Sequence, residues 1–213
     1  MTERELRYIA VEGPIGVGKT TLARRLARTF GSELILEMPE ENPFLAHFYQ
    51  EPRRAALPAQ LYFLFQRARQ IQALRQTDLF QPVRVADFML EKDRLFAELT
   101  LTSDELNLYN QVYSNLTLDA PPPDLVIYLQ APVPVLMKRI VRRGVDYERQ
   151  ISEDYLQRLV DAYIRFFHHY NGAPLLIVNA AEVDLAGNDP DYENLVARIK
   201  GGPVGRQYLN LNA

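Results

Sequence analysis

Short apolar runs alternate with longer amphipathic segments along most of the chain. Five apolar runs have the length and composition of β-strands: residues 7–12, 33–37, 83–87, 124–129 and 174–178. The segments between them carry apolar residues three or four positions apart and predict helices over 19–30, 57–76, 103–117, 132–142, 152–171 and 190–200. Apolar strands separated by helices are typical of a parallel sheet covered on both faces, so the pattern predicts an α/β fold with five parallel strands flanked by helices.

The chain carries no internal repeat and no convincing linker. We therefore expect one domain over residues 1–200, followed by a C-terminal tail at 201–213, which begins with the turn-forming sequence GGPVG. A chain of 213 residues can bury a sufficient core without disulfides or a structural metal. It contains no cysteine, which excludes thiolate metal sites, iron–sulfur clusters and cysteine nucleophiles.

The charge balance narrows the range of partners. A net charge of −3 argues against a broad nucleic-acid surface, because affinity for a phosphate backbone depends on clustered positive charge. The apolar runs are far shorter than a membrane span, and the first residues lack the apolar stretch of a signal peptide. We therefore expect a cytoplasmic protein that binds neither nucleic acid nor membrane.

The strongest motif lies between the first strand and the first helix. Residues 13–20, GPIGVGKT, fit the pattern G-x-x-x-x-G-K-[ST] in the required context of strand, loop and helix. Backbone N–H groups of such a loop bind phosphate, the lysine adds a positive charge at the β and γ phosphates, and the final hydroxyl binds Mg²⁺. The motif predicts a P-loop NTPase fold that binds ATP and Mg²⁺ through Gly13, Gly16, Gly18, Lys19, Thr20 and Thr21.

The rest of the chain distinguishes between classes of P-loop protein. No lysine follows an asparagine, so the guanine-reading N-K-x-D motif of GTPases is absent. Glu37 ends the second predicted strand and Asp87 ends the third. Because ligands of parallel α/β sheets bind at the carboxyl ends of the strands, one carboxylate can lie near an acceptor oxygen and the other near a metal ion. This arrangement favours a phosphoryl-transfer enzyme.

Three further segments resemble the deoxynucleoside kinase family, in its bacterial deoxyadenosine/deoxyguanosine kinase branch. They are residues 37–69 (beginning EMPEENPFLAHFYQEP), 86–97 (ADFMLEKDRLFA) and 138–159 (KRIVRRGVDYERQISEDYLQRL). With the P-loop, they follow the order and nearly the spacing of that family from the first strand to about residue 200. The resemblance implies transfer of the γ-phosphoryl group of ATP to the 5′-hydroxyl of a deoxynucleoside, with Mg²⁺ and an arginine-containing lid.

The resemblance also implies roles for individual residues. Glu37 would be the general base for the 5′-hydroxyl, Asp87 would join Thr20 at the metal and line the substrate site, and Lys19 would act on the phosphates with the lid residues Arg139 and Arg143. The remaining substrate contacts would be Tyr49 and Glu148 on the 3′-hydroxyl, Gln60, Arg67 and Asp93 on the base edge, and Phe63 and Phe96 against its ring. Gln60 and Arg67 are seven residues apart, which independently places them on one helix face.

Two departures from the family pattern concern arginines. Phe88 stands where the family often has an arginine after the acidic residue, and Val145 replaces the second arginine of a frequent R-G-R triplet. Lys92, Arg94 or Arg142 could supply the missing charge, and the sequence does not choose among them.

Two alternative functions remain open. The first is a nucleoside monophosphate kinase of the thymidylate-kinase type, which is disfavoured because Glu37 would face an anionic acceptor phosphate. The second is a non-catalytic P-loop nucleotide-binding regulator, which would need no second polar pocket. For a nucleoside kinase, the donors and acceptors of the base-reading residues predict deoxyadenosine as the best acceptor, deoxyguanosine or deoxycytidine as secondary, and thymidine as the worst.

The helices predicted at 57–76 and 103–117 carry apolar residues on more than one face. This is more than packing on one sheet requires, and members of the family dimerise through helices. We therefore expect a homodimer.

Overall fold

The computed structural model describes residues 6–75, 83–116, 121–181, 185, 187 and 189–209. Its centre is a parallel sheet with the strand order β2-β3-β1-β4-β5-β6. The strands are β1 (Tyr8–Glu12), β2 (Glu33–Ile35), β3 (Arg84–Ala86), β4 (Leu125–Gln130), β5 (Leu175–Asn179) and β6 (Arg206–Leu209). The predicted parallel α/β fold is confirmed, but the sheet has six strands and not five. The sixth consists of four residues from the expected tail, which pair in parallel with β5.

All six predicted helices are present, and there are two more. The described helices are α1 (Lys19–Phe30), α2 (Leu45–Gln50), α3 (Pro52–Arg75), α4 (Glu91–Thr100), α5 (Ser103–Asn115), α6 (Val133–Arg143), α7 (Glu153–His169) and α8 (Asp189–Lys200). Short 3-10 turns lie at Pro39–Glu41 and Asp146–Gln150. The ends of two predicted helices, at residues 76 and 117, fall outside the described residues. No helix in the described part of the chain is long and apolar enough to cross a membrane.

The predictions missed α2 and α4, and they started α3 too late. In α4 the polar side chains Lys92 and Asp93 are buried, which breaks the apolar periodicity that marks a helix face. In α3 the helix begins at Pro52, and Pro58 lies inside it, although a proline favours the first turn of a helix.

The centre of the sheet determines where the site forms. Strand β1 lies between β3 and β4, and Ala10 pairs with Ala86 on one side and with Val126 on the other. These three residues are almost fully inaccessible to solvent, so the middle of the sheet is buried on both faces. The register places the loop after β1 beside the first residues that follow β3, at the point where the strand order reverses.

The loop after β1 packs so closely that it requires glycine. Gly13 has a φ of 147°, and a Cβ atom there would lie 2.4 Å from the carbonyl oxygen of Leu129 at the end of β4. Gly16 has a φ of 81°, and its Cβ would lie 2.8 Å from the side chain of Ile140 in α6. A side chain at Gly13 would push the loop away from β4, and one at Gly16 would push it away from α6.

A buried carboxylate at the end of β1 joins three parts of the fold. Glu12 is fully buried, and one of its oxygens, Oε2, accepts hydrogen bonds from the backbone N–H of Gly13 and from the hydroxyl of Tyr163 in α7, each at 3.0 Å. Its other oxygen, Oε1, accepts from the backbone N–H of Met89, before α4, at 2.9 Å. Burial raises the pKa of Glu12. The sequence analysis did not identify this residue.

We expect Tyr163→Phe to lower the free energy of unfolding by about 1–2 kcal/mol, because it removes one donor from a buried carboxylate. Tyr155→Phe, also in α7, is the matched control, since the buried Tyr155 hydroxyl has no hydrogen-bond partner among the described residues. Removing that hydroxyl should not lower the free energy of unfolding, because a buried hydroxyl without a partner itself costs stability. Urea unfolding of both variants measures the difference, and equal losses would show that the bond to Glu12 does not stabilise the fold.

Candidate active site

Two depressions meet at the carboxyl ends of the central strands. The inner pocket is lined by Ile15, Gly16, Lys19, Thr20, Glu37, Pro39, Leu45, Phe48, Tyr49, Gln60, Phe63, Arg67, Asp87, Lys92, Phe96, Arg143, Tyr147, Glu148 and Tyr155. The outer cleft is lined by Gly16, Val17, Gly18, Thr21, Leu22, Leu129, Arg139, Arg142, Arg143, Ala180 and Leu185. Gly16 and Arg143 belong to both, so the P-loop and the end of α6 separate the two spaces.

Nearly all the residues predicted from the sequence line one of these two spaces. Two do not. Gly13 packs against the end of β4 at the start of the P-loop. Asp93 lies behind Arg67 and is almost fully buried. Glu37 follows β2 by two residues and does not end it, whereas Asp87 directly follows β3.

The P-loop lysine folds back over its own loop. The Nζ atom of Lys19 donates to the backbone oxygens of Gly13, at 2.7 Å, and Pro14, at 3.2 Å. Burial and the nearby ammonium of Lys92 lower the pKa of Lys19 to about 8. An anion bound at the loop would give this ammonium a better partner than two carbonyl oxygens, which suits the loop to phosphate.

Asp87 connects the start of α1 to the segment after β2. Its Oδ2 atom accepts a hydrogen bond from the hydroxyl of Thr20 at 2.5 Å, and its Oδ1 accepts from the backbone N–H of Glu37 at 2.8 Å. A hydroxyl and a carboxylate oxygen are hard ligands of the kind that Mg²⁺ uses, and Mg²⁺ usually takes only one or two protein ligands besides water and phosphate oxygens. The pair fits that ion, and no group of three or more acidic or histidine side chains that could hold a metal occurs in the described part of the chain.

Glu37 has a cation on each of its carboxylate oxygens. Oε1 accepts from Nη2 of Arg67 at 2.9 Å, and Oε2 accepts from Nζ of Lys92 at 2.5 Å. Burial alone would raise the pKa of Glu37, but Lys92, Arg67 and Lys19 hold it well below its usual range. The next residue, Met38, has a φ of 53°, which is unusual for a residue with a side chain. The carboxylate is thus an anion held in a constrained segment.

Arg67 continues the row of charges to Asp93. Its Nε atom donates to Oδ1 of Asp93 at 2.5 Å, and its guanidinium lies 5.4 Å from the ring centre of Phe63 and 5.3 Å from that of Phe88. Burial raises the pKa of Asp93 to about 6, against the opposing effect of the Arg67 guanidinium. Two buried atoms, Nη1 of Arg67 and Oδ2 of Asp93, have no hydrogen-bond partner among the described residues. The unpaired donor belongs to Arg67, which lines the inner pocket, whereas the unpaired acceptor of Asp93 lies behind it.

The two predicted lid arginines have different surroundings. Arg143 ends α6, and its guanidinium donates through Nε and Nη2 to the carboxylate of Glu148. Arg139, one turn earlier, donates to the backbone oxygens of Val17, at 3.1 Å, and Ala180, at 2.6 Å. Near Glu148, the ring of Tyr49 stacks on Tyr147 with centroids 6.1 Å apart. Arg143 thus lies between the outer cleft and the predicted contacts of the 3′-hydroxyl.

The structure distinguishes among the three cations that could compensate for Phe88. Lys92 is buried in the inner pocket, whereas Arg94 is exposed and pairs with Glu98, and Arg142 is exposed at the outer cleft. Phe88 itself packs against Arg67.

Sequence reasoning missed several pocket residues, among them Phe48, Tyr147 and Tyr155. They are ordinary core types with no polar signal, and only the fold brings them to the pocket.

Comparison with known proteins agrees with this geometry. The family model described as "Deoxynucleoside kinase" matches residues 9–201. The chain is similar to a deoxyguanosine kinase of Bacillus subtilis, with 36% identity over 91% of this chain and 96% of that protein. It is also similar to a deoxyadenosine kinase of Lactobacillus acidophilus, with 31% identity over 86% and 90% of the two chains.

Among solved structures, the deoxyadenosine kinase from M. mycoides with bound dATP superposes with a TM-score of 0.79 at 26% identity, covering 91% of this chain and 98% of that one. The sequence similarity over most of the chain and the shared fold both indicate the same family. This chain belongs to the deoxynucleoside kinase family.

Proposed function

We propose that this ATP-dependent deoxynucleoside kinase has deoxyadenosine as its preferred acceptor, deoxyguanosine or deoxycytidine as secondary acceptors, and Glu37 as the general base for the 5′-hydroxyl. The observation that carries the proposal is the position of Glu37, in the inner pocket between the P-loop lysine and the Arg67–Asp93 pair. A carboxylate there can reach a sugar whose base contacts the far end of the same row of charges.

The donor belongs to the outer cleft. Its triphosphate would lie over the P-loop, where Lys19 exchanges its carbonyl partners for the β and γ phosphate oxygens. Thr20 and Asp87 would hold Mg²⁺, which neutralises charge on those oxygens and helps align them for transfer. Arg143 lies where the two spaces meet, so its charge can act on the transferring group.

The acceptor belongs to the inner pocket. Tyr49 and Glu148 lie together near the end of α6 and suit the 3′-hydroxyl. With the sugar there, the 5′-hydroxyl faces Glu37 and the γ-phosphoryl group approaches from the P-loop. The proton of the 5′-hydroxyl passes to Glu37 as the oxygen bonds to phosphorus and ADP leaves.

The base is read at the buried end of the pocket. Arg67 lines the pocket and can only donate, and the carboxylate of Asp93 behind it can only accept. Each has one buried atom without a hydrogen-bond partner in the described part of the chain, and the base would reach Asp93 past the Arg67 guanidinium. Adenine offers N7 to the arginine and its N6 amino group to the carboxylate. Guanine offers O6 or N7 as the acceptor and N1–H as the donor. Thymine has a donor at N3–H, but where adenine carries its N6 amino group it presents the carbonyl oxygen O4 with a methyl group beside it, so in the orientation of adenine it sets an acceptor against the carboxylate, at a cost of a few kcal/mol.

The test is the rate of phosphorylation of the four deoxynucleosides by ATP, with products identified by mass. We expect deoxyadenosine to have the highest kcat/KM, deoxyguanosine or deoxycytidine to follow, and thymidine to be last by roughly 100-fold or more. Thymidine at the head of the series would show that Arg67 and Asp93 do not face the base. If the protein phosphorylated only nucleoside monophosphates, the proposed function would be wrong and the monophosphate kinase alternative would hold.

We further propose that the protein is a homodimer formed through α3 and α5. Both helices expose a large apolar side chain, Phe65 in α3 and Leu108 in α5, each more than 40% accessible. Next to them lies a buried cluster centred on Leu64 and Tyr109. Sedimentation equilibrium at micromolar concentration should give twice the chain mass of 24.5 kDa. A mass equal to that of one chain would contradict the proposal.

A further inference from the structure

Lys92 is a buried lysine whose ammonium contacts the proposed general base. Only 5% of the residue is exposed, and Nζ donates to Oε2 of Glu37 at 2.5 Å. The same atom lies 5.4 Å from the ring centre of Phe96. Burying an ammonium group is costly unless it is paired. Glu37 supplies that pairing, so the two side chains hold each other in place.

The stability of its own helix does not explain the position of Lys92. The residue lies in the first turn of α4, where the helix dipole favours acidic side chains and disfavours cations. Its neighbours in that turn, Glu91 and Asp93, follow this rule. Arg94, the next cation along, is on the exposed surface of the helix and pairs with Glu98, one turn later. Lys92 is the exception, and its charge is directed into the inner pocket.

The second cation on Glu37 has a competing task. Arg67 contacts Glu37 through Nη2 and Asp93 through Nε, and its Nη1 is free for a base. A base that binds at this end would use Nη1 of the same guanidinium, so Arg67 would have to align with three partners at once. Among the residues that the structure describes, Lys92 donates a hydrogen bond to Glu37 alone. Lys92 lines the same pocket as the P-loop residue Lys19, and its charge helps to lower the pKa of Lys19.

We propose that Lys92 is a positioning residue for phosphoryl transfer: its ammonium orients the Glu37 carboxylate toward the 5′-hydroxyl and remains with it when the base engages Arg67. This inference rests on the proposed function. Lys92 also supplies a positive charge in place of the arginine that the family often has at the position of Phe88. Lys92 acts through Glu37 and needs no contact of its own with the base.

The first experiment compares three single variants with deoxyadenosine and saturating ATP. Lys92→Met keeps the length of the side chain without its charge, and we expect kcat to fall about 10- to 100-fold while the nucleoside KM changes less than about threefold. Lys92→Arg restores the charge and should recover most of kcat. Arg94→Met, the control from the same helix, should match the wild type because Arg94 is exposed and outside both spaces.

A double variant tests whether Lys92 acts through Glu37. In Glu37→Gln the base is already absent, so adding Lys92→Met should lower kcat by less than about threefold further. This double variant also leaves no unpaired buried charge on either partner, so it remains informative if Lys92→Met alone unfolds. Equal losses of kcat from Lys92→Met in the two backgrounds would overturn the inference.

Other outcomes separate this inference from the proposed function. Wild-type kcat in folded Lys92→Met, or equal defects in the Met and Arg variants, would overturn the role of Lys92 alone. A wild-type protein that phosphorylates no deoxynucleoside would overturn the proposed function, and this inference with it.

Discussion

A row of four charges, three of them buried and the fourth, Glu37, partly buried, is the interaction on which the site depends. Asp93, Arg67, Glu37 and Lys92 alternate in sign, and each contacts the next at 2.5–2.9 Å. The row joins α3 and α4 to the segment after β2. Loss of one member would leave a buried charge without its partner, which typically costs about 3–5 kcal/mol. Replacing a pair with apolar side chains is often tolerated, so stability alone does not require these charges. Their position beside the P-loop, in and behind the inner pocket, is consistent with the proposed catalytic and base-reading roles.

The polar network extends from this row to the P-loop through backbone contacts. Asp87 accepts from Thr20 and from the backbone of Glu37, and Glu12 accepts from Gly13 and Met89. The segments before α4 and after β2 are therefore fixed to the loop that binds phosphate. A site held in this way places the acceptor and the donor in one geometry before either binds, which is how positioning lowers the barrier to phosphoryl transfer.

Much of this was predictable from the sequence, for identifiable reasons. Strand β4 and helix α1 have uniform patterns, and the P-loop has a fixed spacing, so all three were located nearly to the residue. The family resemblance brought together Glu37, Tyr49, Gln60 and their neighbours, which no local pattern connects. Helix α4 was missed because its charged residues Lys92 and Asp93 are buried, although charged residues usually mark an exposed surface. Strand β6 was missed because its segment follows a glycine-rich turn. The contacts of Glu12 with Met89 and Tyr163, and of Lys92 with Glu37, join residues far apart in the chain, so no local pattern predicts them.

The central claim is that Glu37 accepts the proton of the 5′-hydroxyl. Its most direct test is the single-turnover rate of phosphoryl transfer in Glu37→Gln, measured together with the Kd for ATP. Since a positioned base contributes about 10²–10⁴ in rate, we expect a loss of at least about 100-fold with ATP affinity near that of the wild type. A variant that transfers the phosphoryl group at the wild-type rate would contradict the account.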